Sequence, residues 1–177
     1  LMIDLFKKFS KKKITFEKFP RITFRDSMLK YGTDKPDLRN PLIIQDVSDI
    51  FKRDDVKFEI FKKLIKEGAL ARCIVTKKTS NKPRSFFDKI DKWAKVEGSS
   101  GLAYFTLEKE NIIKARGPIG KLFSSEALQK LMNTTGAEIG DSIFFSCGKI
   151  DEVERLLSSA RDKLGNELSL INKDEFA

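Results

Sequence analysis

Residues 83–107 read PRSFFDKIDKWAKVEGSSGLAYFTL, and this stretch combines a helix pattern with a strand pattern. The apolar residues that follow Pro83 recur with the 3.6-residue period of an amphipathic helix, and Pro83 itself suits the first turn. Gly98 suits the end of that helix. Residues 102–107 are then mostly apolar, which is typical of a strand. A helix that leads through glycines into a strand predicts a mixed α and β structure.

The neighbouring segments extend this pattern in both directions. Upstream, residues 56–60 alternate between apolar and polar, and residues 69–76 are densely apolar, so both predict strands. Downstream, the pattern predicts a short strand over 112–115, a helix capped by Ser124 or Ser125, and a strand over 142–147. The order strand, strand, helix, strand, strand, helix predicts an α+β fold. We expect a two-layer sandwich in which two helices cover one face of an antiparallel sheet (a ββαββα core).

The two ends of the chain predict flanking helices that belong to a different core. Residues 1–9 place their apolar side chains on one helical face. Thr23 can cap a second short helix, which Gly32 would end. Near the other end, residues 150–164 form an amphipathic stripe that Gly165 would close. Because the chain begins with Leu rather than Met, we expect it to be part of something longer.

The composition is that of a globular protein with a net positive charge. Hydrophobic residues make up 40% and charged residues 34% of the chain, which excludes a disordered protein. No apolar run approaches the roughly 18 residues of a membrane span. The formal net charge of +9 favours polyanionic partners, because phosphate chains release counterions when cations bind them. Cys73 and Cys147 lie far apart in apolar segments, so we expect two reduced thiols in a core.

The sequence contains no recognisable catalytic constellation. It has no histidine, which removes the commonest general base and the commonest imidazole ligand. Its glycines form neither a Gly-x-Gly-x-x-Gly loop nor a Gly-Lys-(Ser/Thr) ending that would hold phosphates. We therefore expect the chain to be catalytically silent, with no catalytic, cofactor-binding or metal-binding residues of its own.

The best candidate for binding is the stretch from Gly68 to Phe87, which contains several cations and no acid. Its residues 77–84 (KKTSNKPR) predict an exposed loop before a helix. Two interpretations stay open. The cations of the loop would contact a phosphate backbone, which sets affinity rather than sequence specificity, or the loop is simply solvated. The candidate tRNA contacts in this loop are Lys77, Lys78, Lys82 and Arg84.

Residues 31–39 (YGTDKPDLR) resemble a string that follows the second signature motif of bacterial-type aspartyl-tRNA synthetases, a class II family. In that family the string leads from the catalytic domain into an inserted domain and reads Tyr-Gly-(Ser/Thr)-Asp-Lys-Pro-Asp-(Leu/Ile)-Arg. Residues 31–39 agree with this string at every position. Residues 101–104 (GLAY), 117–123 (GPIGKLF) and 140–145 (GDSIFF) are similar to segments of that insertion, the GAD domain. The chain departs from the family where Ser146-Cys147-Gly148 replace the usual Gly-Ala-Asp tripeptide.

The resemblance implies an organisation and a parent activity. It implies catalytic-domain sequence with a junction loop over residues 1–45, a GAD-type insertion over 46–148, and a helix over 149–177 that returns to the catalytic domain. It also implies a cytoplasmic, homodimeric ligase that uses ATP and Mg to attach aspartate to tRNA. The family's catalytic motifs (Phe-Arg-x-Glu, a histidine-containing loop and Gly-x-Gly-x-x-x-x-Arg) do not occur in this sequence. We therefore expect a support for the active site, with tRNA and the remainder of the synthetase as its partners.

The charged residues of the junction loop, Asp34, Lys35, Asp37 and Arg39, allow two interpretations. They form a rigid loop with internal Asp–Arg bonds, or they position the insertion against the active-site rim or the tRNA acceptor end. Two alternatives to the synthetase also stay open: a GAD-like tRNA-binding module of a tRNA-dependent amidotransferase subunit, and a purely structural insert. Residues 31–39 favour the synthetase, because this string lies outside the module itself.

Overall fold

The computed structural model of the chain describes residues 2–16, 18–98 and 101–176. The predicted start of the first helix at Leu1 lies outside these residues. The helices are α1 (Met2–Phe9), α2 (Phe24–Tyr31), α3 (Ser48–Phe51), α4 (Glu59–Lys66), α5 (Arg84–Val96), α6 (Ser125–Thr135) and α7 (Ile150–Glu167). The strands are β1 (Lys13–Ile14), β2 (Ile44–Asp46), β3 (Leu70–Thr76), β4 (Ala103–Lys109), β5 (Ile113–Arg116), β6 (Ser142–Gly148) and β7 (Glu175–Phe176).

Five strands form one antiparallel sheet in the order β2-β3-β6-β4-β5. β3 and β6 pair along their whole length, from Leu70 opposite Gly148 to Thr76 opposite Ser142. β4 and β5 form a hairpin at one edge, and β2 forms the other edge. Near the chain ends, β1 and β7 pair in parallel as a separate small sheet. The predicted α+β class with an antiparallel sheet is confirmed.

Helices cover both faces of the five-stranded sheet. Cys73, Phe105 and Phe145 point to one face and pack in a hydrophobic cluster with residues of α3, α4 and α6. Tyr104 and Phe144 point to the other face and pack with α5 and α7. The expected two-layer arrangement therefore needs a correction, because α5 and α6 lie on opposite faces and the sheet is the middle of three layers. The physical reason is that β3, β4 and β6 are apolar on both sides and must bury both.

The strand predicted over residues 56–60 is wrong, because this segment leads into helix α4. Val56 makes only an isolated bridge to Phe123. Phe58 and Phe61 are three residues apart at the start of the helix, and their ring centroids lie 4.5 Å apart. An alternation of apolar and polar residues over only five positions does not separate a strand from a helix. The three-residue spacing of Phe58 and Phe61 is that of a helical face. The edge position of the sheet is taken by β2, which the sequence pattern did not predict.

The predicted caps of α2 and α6 are confirmed, but the predicted end of α7 is wrong. The Thr23 hydroxyl accepts a backbone hydrogen bond at the start of α2, and Gly32 ends this helix with a φ of 68°. Ser124 caps α6 in the same way. Helix α7 continues past Gly165, where a Cβ atom would lie 2.5 Å from Nδ2 of Asn40. Glycine at this position therefore permits the close approach of the Asn40 side chain to the helix and does not end the helix.

Arg161 of α7 binds the backbone of the segment that leads into β2. Its side chain is 1% exposed, and its Nε donates to the Leu42 carbonyl oxygen at 2.7 Å. Its Nη2 donates to the carbonyl oxygens of Asp37 and Asn40 at 2.7 and 2.6 Å. The Tyr31 ring centroid lies 4.9 Å from the guanidinium carbon. Because an unpaired buried charge would be very costly, these bonds are what makes the buried position of Arg161 tolerable.

Asn40 completes this connection from the other side. Its Nδ2 donates to the Arg161 carbonyl oxygen at 2.8 Å, and its Oδ1 accepts from the Leu42 amide at 3.1 Å. At Gly32, a Cβ atom would lie 2.5 Å from the Glu154 carbonyl oxygen, so this end of the segment also lies directly against α7. We call the contacts of Arg161 with Tyr31, Asp37, Asn40 and Leu42 the Arg161 joint. The joint fixes the segment between α2 and β2, which we call the junction segment, to helix α7, which covers one face of the sheet.

Replacing Arg161→Met should destabilise the protein strongly, because it leaves three carbonyl groups, two of them buried and one partly buried, without their donor. An unsatisfied buried polar group costs roughly 1–3 kcal/mol, so the free energy of unfolding should fall by about 3 kcal/mol or more. Urea unfolding followed by circular dichroism measures this change. Arg155→Met, at an exposed position of the same helix, is the matched control and should change the free energy by less than about 0.5 kcal/mol. Equal losses in the two variants would contradict the joint.

Candidate nucleic-acid interface

The basic loop, residues 77–84, connects β3 to α5 and is held by one buried carboxylate. Asp141 is 1% exposed, and its carboxylate accepts from the backbone N–H groups of Lys78 at 2.9 Å and Glu138 at 2.8 Å. Lys77 Nζ lies 3.0 Å from the same carboxylate. Lys77 therefore fastens the loop to the turn before β6, and its charge is already partnered.

The other three predicted contacts extend from the loop towards solvent. Lys78 has an exposed side chain and a positive φ of 54°. Lys82 Nζ lies 6.0 Å from the Phe86 ring centroid, at the outer limit of a cation–π contact. Arg84 is 86% exposed at the start of α5, and it forms an ion pair with Asp88 at 3.5 Å. These three cations remain accessible to a large anionic partner.

A cleft of about 370 Å³ lies beside the basic loop. We call it the Arg116 cleft. It combines the loop and α5 with β4 and the end of β5, so it exists only in the folded chain. All of the charged residues in its lining are cations. The lining residues are Ser80, Lys82, Arg84, Phe87, Tyr104, Thr106, Arg116, Gly117 and Pro118.

Arg116 is a candidate binding residue that the sequence patterns missed. It ends β5, its side chain is 76% exposed, and it forms an ion pair with Glu108 at 3.4 Å. The β4–β5 hairpin pairs Arg116 with Thr106 and so brings it to the cleft. Arg116 is not part of a run of cations and lies far from the basic loop in sequence, so the charge pattern did not indicate it. The only available signal was its position directly before the Gly117-Pro118 break.

Packed aromatic rings form the floor of the Arg116 cleft. The Phe87 and Tyr104 rings stack with centroids 4.7 Å apart and planes 10° apart. Both residues belong to the buried core on the α5 side of the sheet. Burial raises the pKa of Tyr104 above its ordinary value, and the Asp88 carboxylate contributes to the same shift. The hydroxyl therefore stays protonated at neutral pH and keeps its ability to donate.

The junction loop lies elsewhere, against α7 and the end of the chain. Arg39 donates to Asp37 through Nη2 at 2.7 Å and through Nε at 2.9 Å, and Arg39 also reaches the Glu175 carbonyl oxygen at 3.4 Å. The Arg39 hydrogen bond lowers the pKa of Asp37 below its usual value. Asp34 and Lys35 form an exposed pair at 2.8 Å. Asp37 and Arg39 thus maintain the shape of the loop, whereas Asp34 and Lys35 face solvent.

The described part of the chain offers no cluster of three or more His, Cys, Asp or Glu side chains that could hold a metal ion. Within the same residues, no helix combines the length and the apolar character that crossing a membrane requires. Cys73 and Cys147 are free, and both lie against the core. Burial raises the pKa of both thiols, that of Cys147 to about 11. Such thiols are protonated at neutral pH and react poorly.

The fold and the site define an α+β module with a cleft beside its sheet whose charged lining residues are all cations. Comparison with known proteins gives this module a family. The GAD domain family matches residues 61–157, from α4 into the first half of α7. The chain belongs to the GAD domain family.

The similarity to known proteins extends beyond this match. The chain is 67% identical over 177 residues to the aspartate–tRNA(Asp/Asn) ligase of Pelagibacter ubique, which covers 100% of the chain and 30% of that protein. It is 44% identical over 174 residues to the ligase of the same name from Methylorubrum populi (98% of the chain, 29% of that protein). It is 45% identical over 176 residues to that of Ehrlichia chaffeensis (99% of the chain, 29% of that protein). The chain thus spans about 30% of the length of these relatives, and the resemblance to aspartate–tRNA ligases is confirmed.

The three residues that replace the family's Gly-Ala-Asp tripeptide do not disrupt the sheet. Ser146, Cys147 and Gly148 end β6 and pair with the start of β3, as expected for positions that close a strand. The boundaries at residues 46 and 148 stay a prediction. Strand β2, which begins at Ile44, is itself part of the module's sheet, and α7, which begins at Ile150, packs on one face of that sheet.

Lys77→Met should destabilise the protein, whereas Lys78→Met should not. Without Lys77, the buried Asp141 carboxylate keeps only backbone donors. A hydrogen bond to a charged group contributes about 1.5–3 kcal/mol, but solvent screens a lysine that is 55% exposed. We therefore expect the free energy of unfolding to fall by about 1 kcal/mol in urea titrations. A loss for Lys78→Met as large as that for Lys77→Met would contradict this division of roles.

Proposed function

We propose that this chain is the insertion-domain part of an aspartate–tRNA ligase. The observation that carries the proposal is the identity of 67% over the whole chain, including the segments on both sides of the GAD match. Residues 31–39 lie in the first of these segments. They favour a ligase over a module of an amidotransferase subunit, because in the resemblance this string leads from a catalytic domain into the insertion. The junction loop and α7 would form the two connections to the remainder of the synthetase.

The complete ligase would attach aspartate to tRNA in the cytoplasm through an aspartyl-adenylate, would use ATP and Mg, and would be a homodimer. The relatives carry both tRNA(Asp) and tRNA(Asn) in their names, and we extend this dual specificity to the parent of this chain. The chain has no histidine and none of the family's catalytic motifs, so we assign it no step of adenylate formation. Aspartate-dependent exchange of pyrophosphate into ATP by this chain alone would contradict that assignment.

Within the ligase, the module would act as a rigid support that presents cations to tRNA. The Arg161 joint prevents the module from swinging about the junction segment, because the guanidinium binds three of its carbonyl groups at once. Asp141 in turn holds the basic loop through the backbone amide of Lys78 and the ammonium group of Lys77. Cations on a fixed loop lose less conformational freedom when they bind, and their contacts release counterions from the phosphate backbone.

The triple variant Lys78→Ala, Lys82→Ala, Arg84→Ala should bind tRNA more weakly than the wild-type chain. Lys77 stays in place because it partners Asp141. Each lost phosphate contact should reduce the slope of log affinity against log salt by about 1. We therefore expect a slope smaller by about 2–3 and at least about tenfold weaker binding at low salt, measured by fluorescence anisotropy with labelled tRNA.

The matched control is Lys57→Ala, Lys63→Ala, Lys66→Ala, which removes the same charge from exposed positions in or next to α4. Helix α4 packs on the sheet face opposite to α5, so this variant should retain most of the wild-type affinity. Equal weakening in both variants would mean that only net charge matters. If the wild-type chain fails to bind tRNA even at low salt, the insert is purely structural.

A further inference from the structure

We propose that the Arg116 cleft binds one nucleotide of a single-stranded RNA segment, with its phosphate between Arg116 on one side and Lys82 and Arg84 on the other. The inference rests on the proposed tRNA contact. It adds a defined site and a ligand class, an unpaired strand rather than the backbone of a duplex.

The first argument is the convergence of cations from separate parts of the fold. Lys82 and Arg84 come from the loop before α5, and Arg116 comes from the edge strand β5. Side chains of like charge repel one another, and the lining itself contains no acid. The carboxylates that pair with the two arginines lie outside the lining, at 3.5 and 3.4 Å. An anion between the cations removes the repulsion. Two arginines suit a phosphate in particular, because the planar guanidinium can donate two parallel hydrogen bonds to its oxygens.

The second argument is that the present partners of these arginines are easily exchanged. Arg84 approaches Asp88 at 3.5 Å, and Arg116 approaches Glu108 at 3.4 Å. Charge-assisted hydrogen bonds of good geometry are shorter, about 2.7–2.9 Å. Both arginines are also largely exposed, at 86% and 76%, so forming a new contact requires no unfolding. Arg161 is the opposite case, with a buried side chain and three short bonds.

The third argument is the size and shape of the cleft. Its volume of about 370 Å³ falls at the lower end of the range for small-molecule pockets, roughly 300–1,000 Å³. A single nucleotide unit fits such a space, whereas the stacked and paired bases of a duplex do not. Gly117 shapes one wall, because a Cβ atom there would lie 2.8 Å from the Phe105 Cα and the Tyr104 carbonyl oxygen. Pro118 and Tyr104 also line the cleft, so a base or ribose in it would contact them.

An unpaired strand is therefore the class of RNA that the cleft fits. Proteins recognise single strands by separating the bases from one another and packing them against side chains, while cations hold the backbone. The cleft provides both elements next to each other. Lys78 of the basic loop is also exposed but does not line the cleft, and it would contact a neighbouring phosphate.

The test is a titration of the ¹⁵N-labelled 177-residue chain, followed by NMR, with three probes. They are a single-stranded RNA tetranucleotide, an RNA duplex and AMP. The tetranucleotide should shift the amides of Ser80, Thr106 and Gly117 and bind more tightly than AMP or the duplex does at these amides. Arg116→Ala should weaken tetranucleotide binding roughly tenfold, and Arg116→Lys should restore only part of it. Lys114→Ala, on the same strand but outside the cleft, should weaken binding by less than about twofold.

The outcomes separate this inference from the proposed function. If tRNA binds the chain but the cleft amides do not shift, and Arg116→Ala behaves like Lys114→Ala, the cleft site is overturned and the tRNA contact stands. If the tetranucleotide occupies the cleft but tRNA does not bind the chain, the site stands and the tRNA contact falls. If AMP binds the cleft as tightly as the tetranucleotide does, the ligand is a free nucleotide and the RNA assignment is overturned. Unchanged spectra outside the cleft in Arg116→Ala exclude misfolding as the cause of weaker binding.

Discussion

The buried guanidinium of Arg161 is the group that joins the junction segment to the module. It replaces its lost water with backbone carbonyl groups from residues that precede the sheet, so the chain on either side cannot move without exposing an unsatisfied charge or carbonyl group. Glycines at positions 32 and 165 permit the close approach that these bonds require. The position of the module relative to the junction segment therefore depends on the side chains of Arg161 and Asn40 and on these two glycines.

From this joint, fixed contacts continue to the proposed binding surface. Helix α7 carries Glu154, which accepts from the buried Arg72 of β3 at 3.1 Å. Strand β3 leads into the basic loop, where the Thr79 hydroxyl lies 2.8 Å from the Ser142 hydroxyl of β6. The cations of the loop and of the Arg116 cleft are thus presented by a scaffold that is ordered before any ligand arrives. Such preorganisation reduces the entropy lost on binding and favours a partner with a defined spacing of phosphates.

Local signals in the sequence predicted much of this arrangement, and the failures at Gly165 and Arg116 share one physical cause, which is a partner far away in the chain. Thr23, Ser124 and the apolar run over 69–76 act within a few residues of themselves, so their roles could be predicted from the sequence alone. Gly165 suggested a helix end because its true partner, Asn40, lies far away in the chain. Arg116 gave no signal because only the register of the β4–β5 hairpin brings it to the cleft. The two-layer prediction failed for another reason. It used only the order of helices and strands, whereas strands that are apolar on both sides require helices on both faces of the sheet.

Native-state hydrogen exchange tests most directly whether the junction and the module form one unit. The amide of Leu42 bonds to the Asn40 side chain, and the amide of Asn40 bonds to the Asp37 carbonyl oxygen, so both report on the Arg161 joint. If the account is right, these amides and those of β3 and β6 will exchange through the same cooperative opening, with free energies that agree within about 1 kcal/mol. Exchange of Asn40 and Leu42 at a much lower free energy, while β3 and β6 stay protected, would show that the junction opens by itself and would contradict the account.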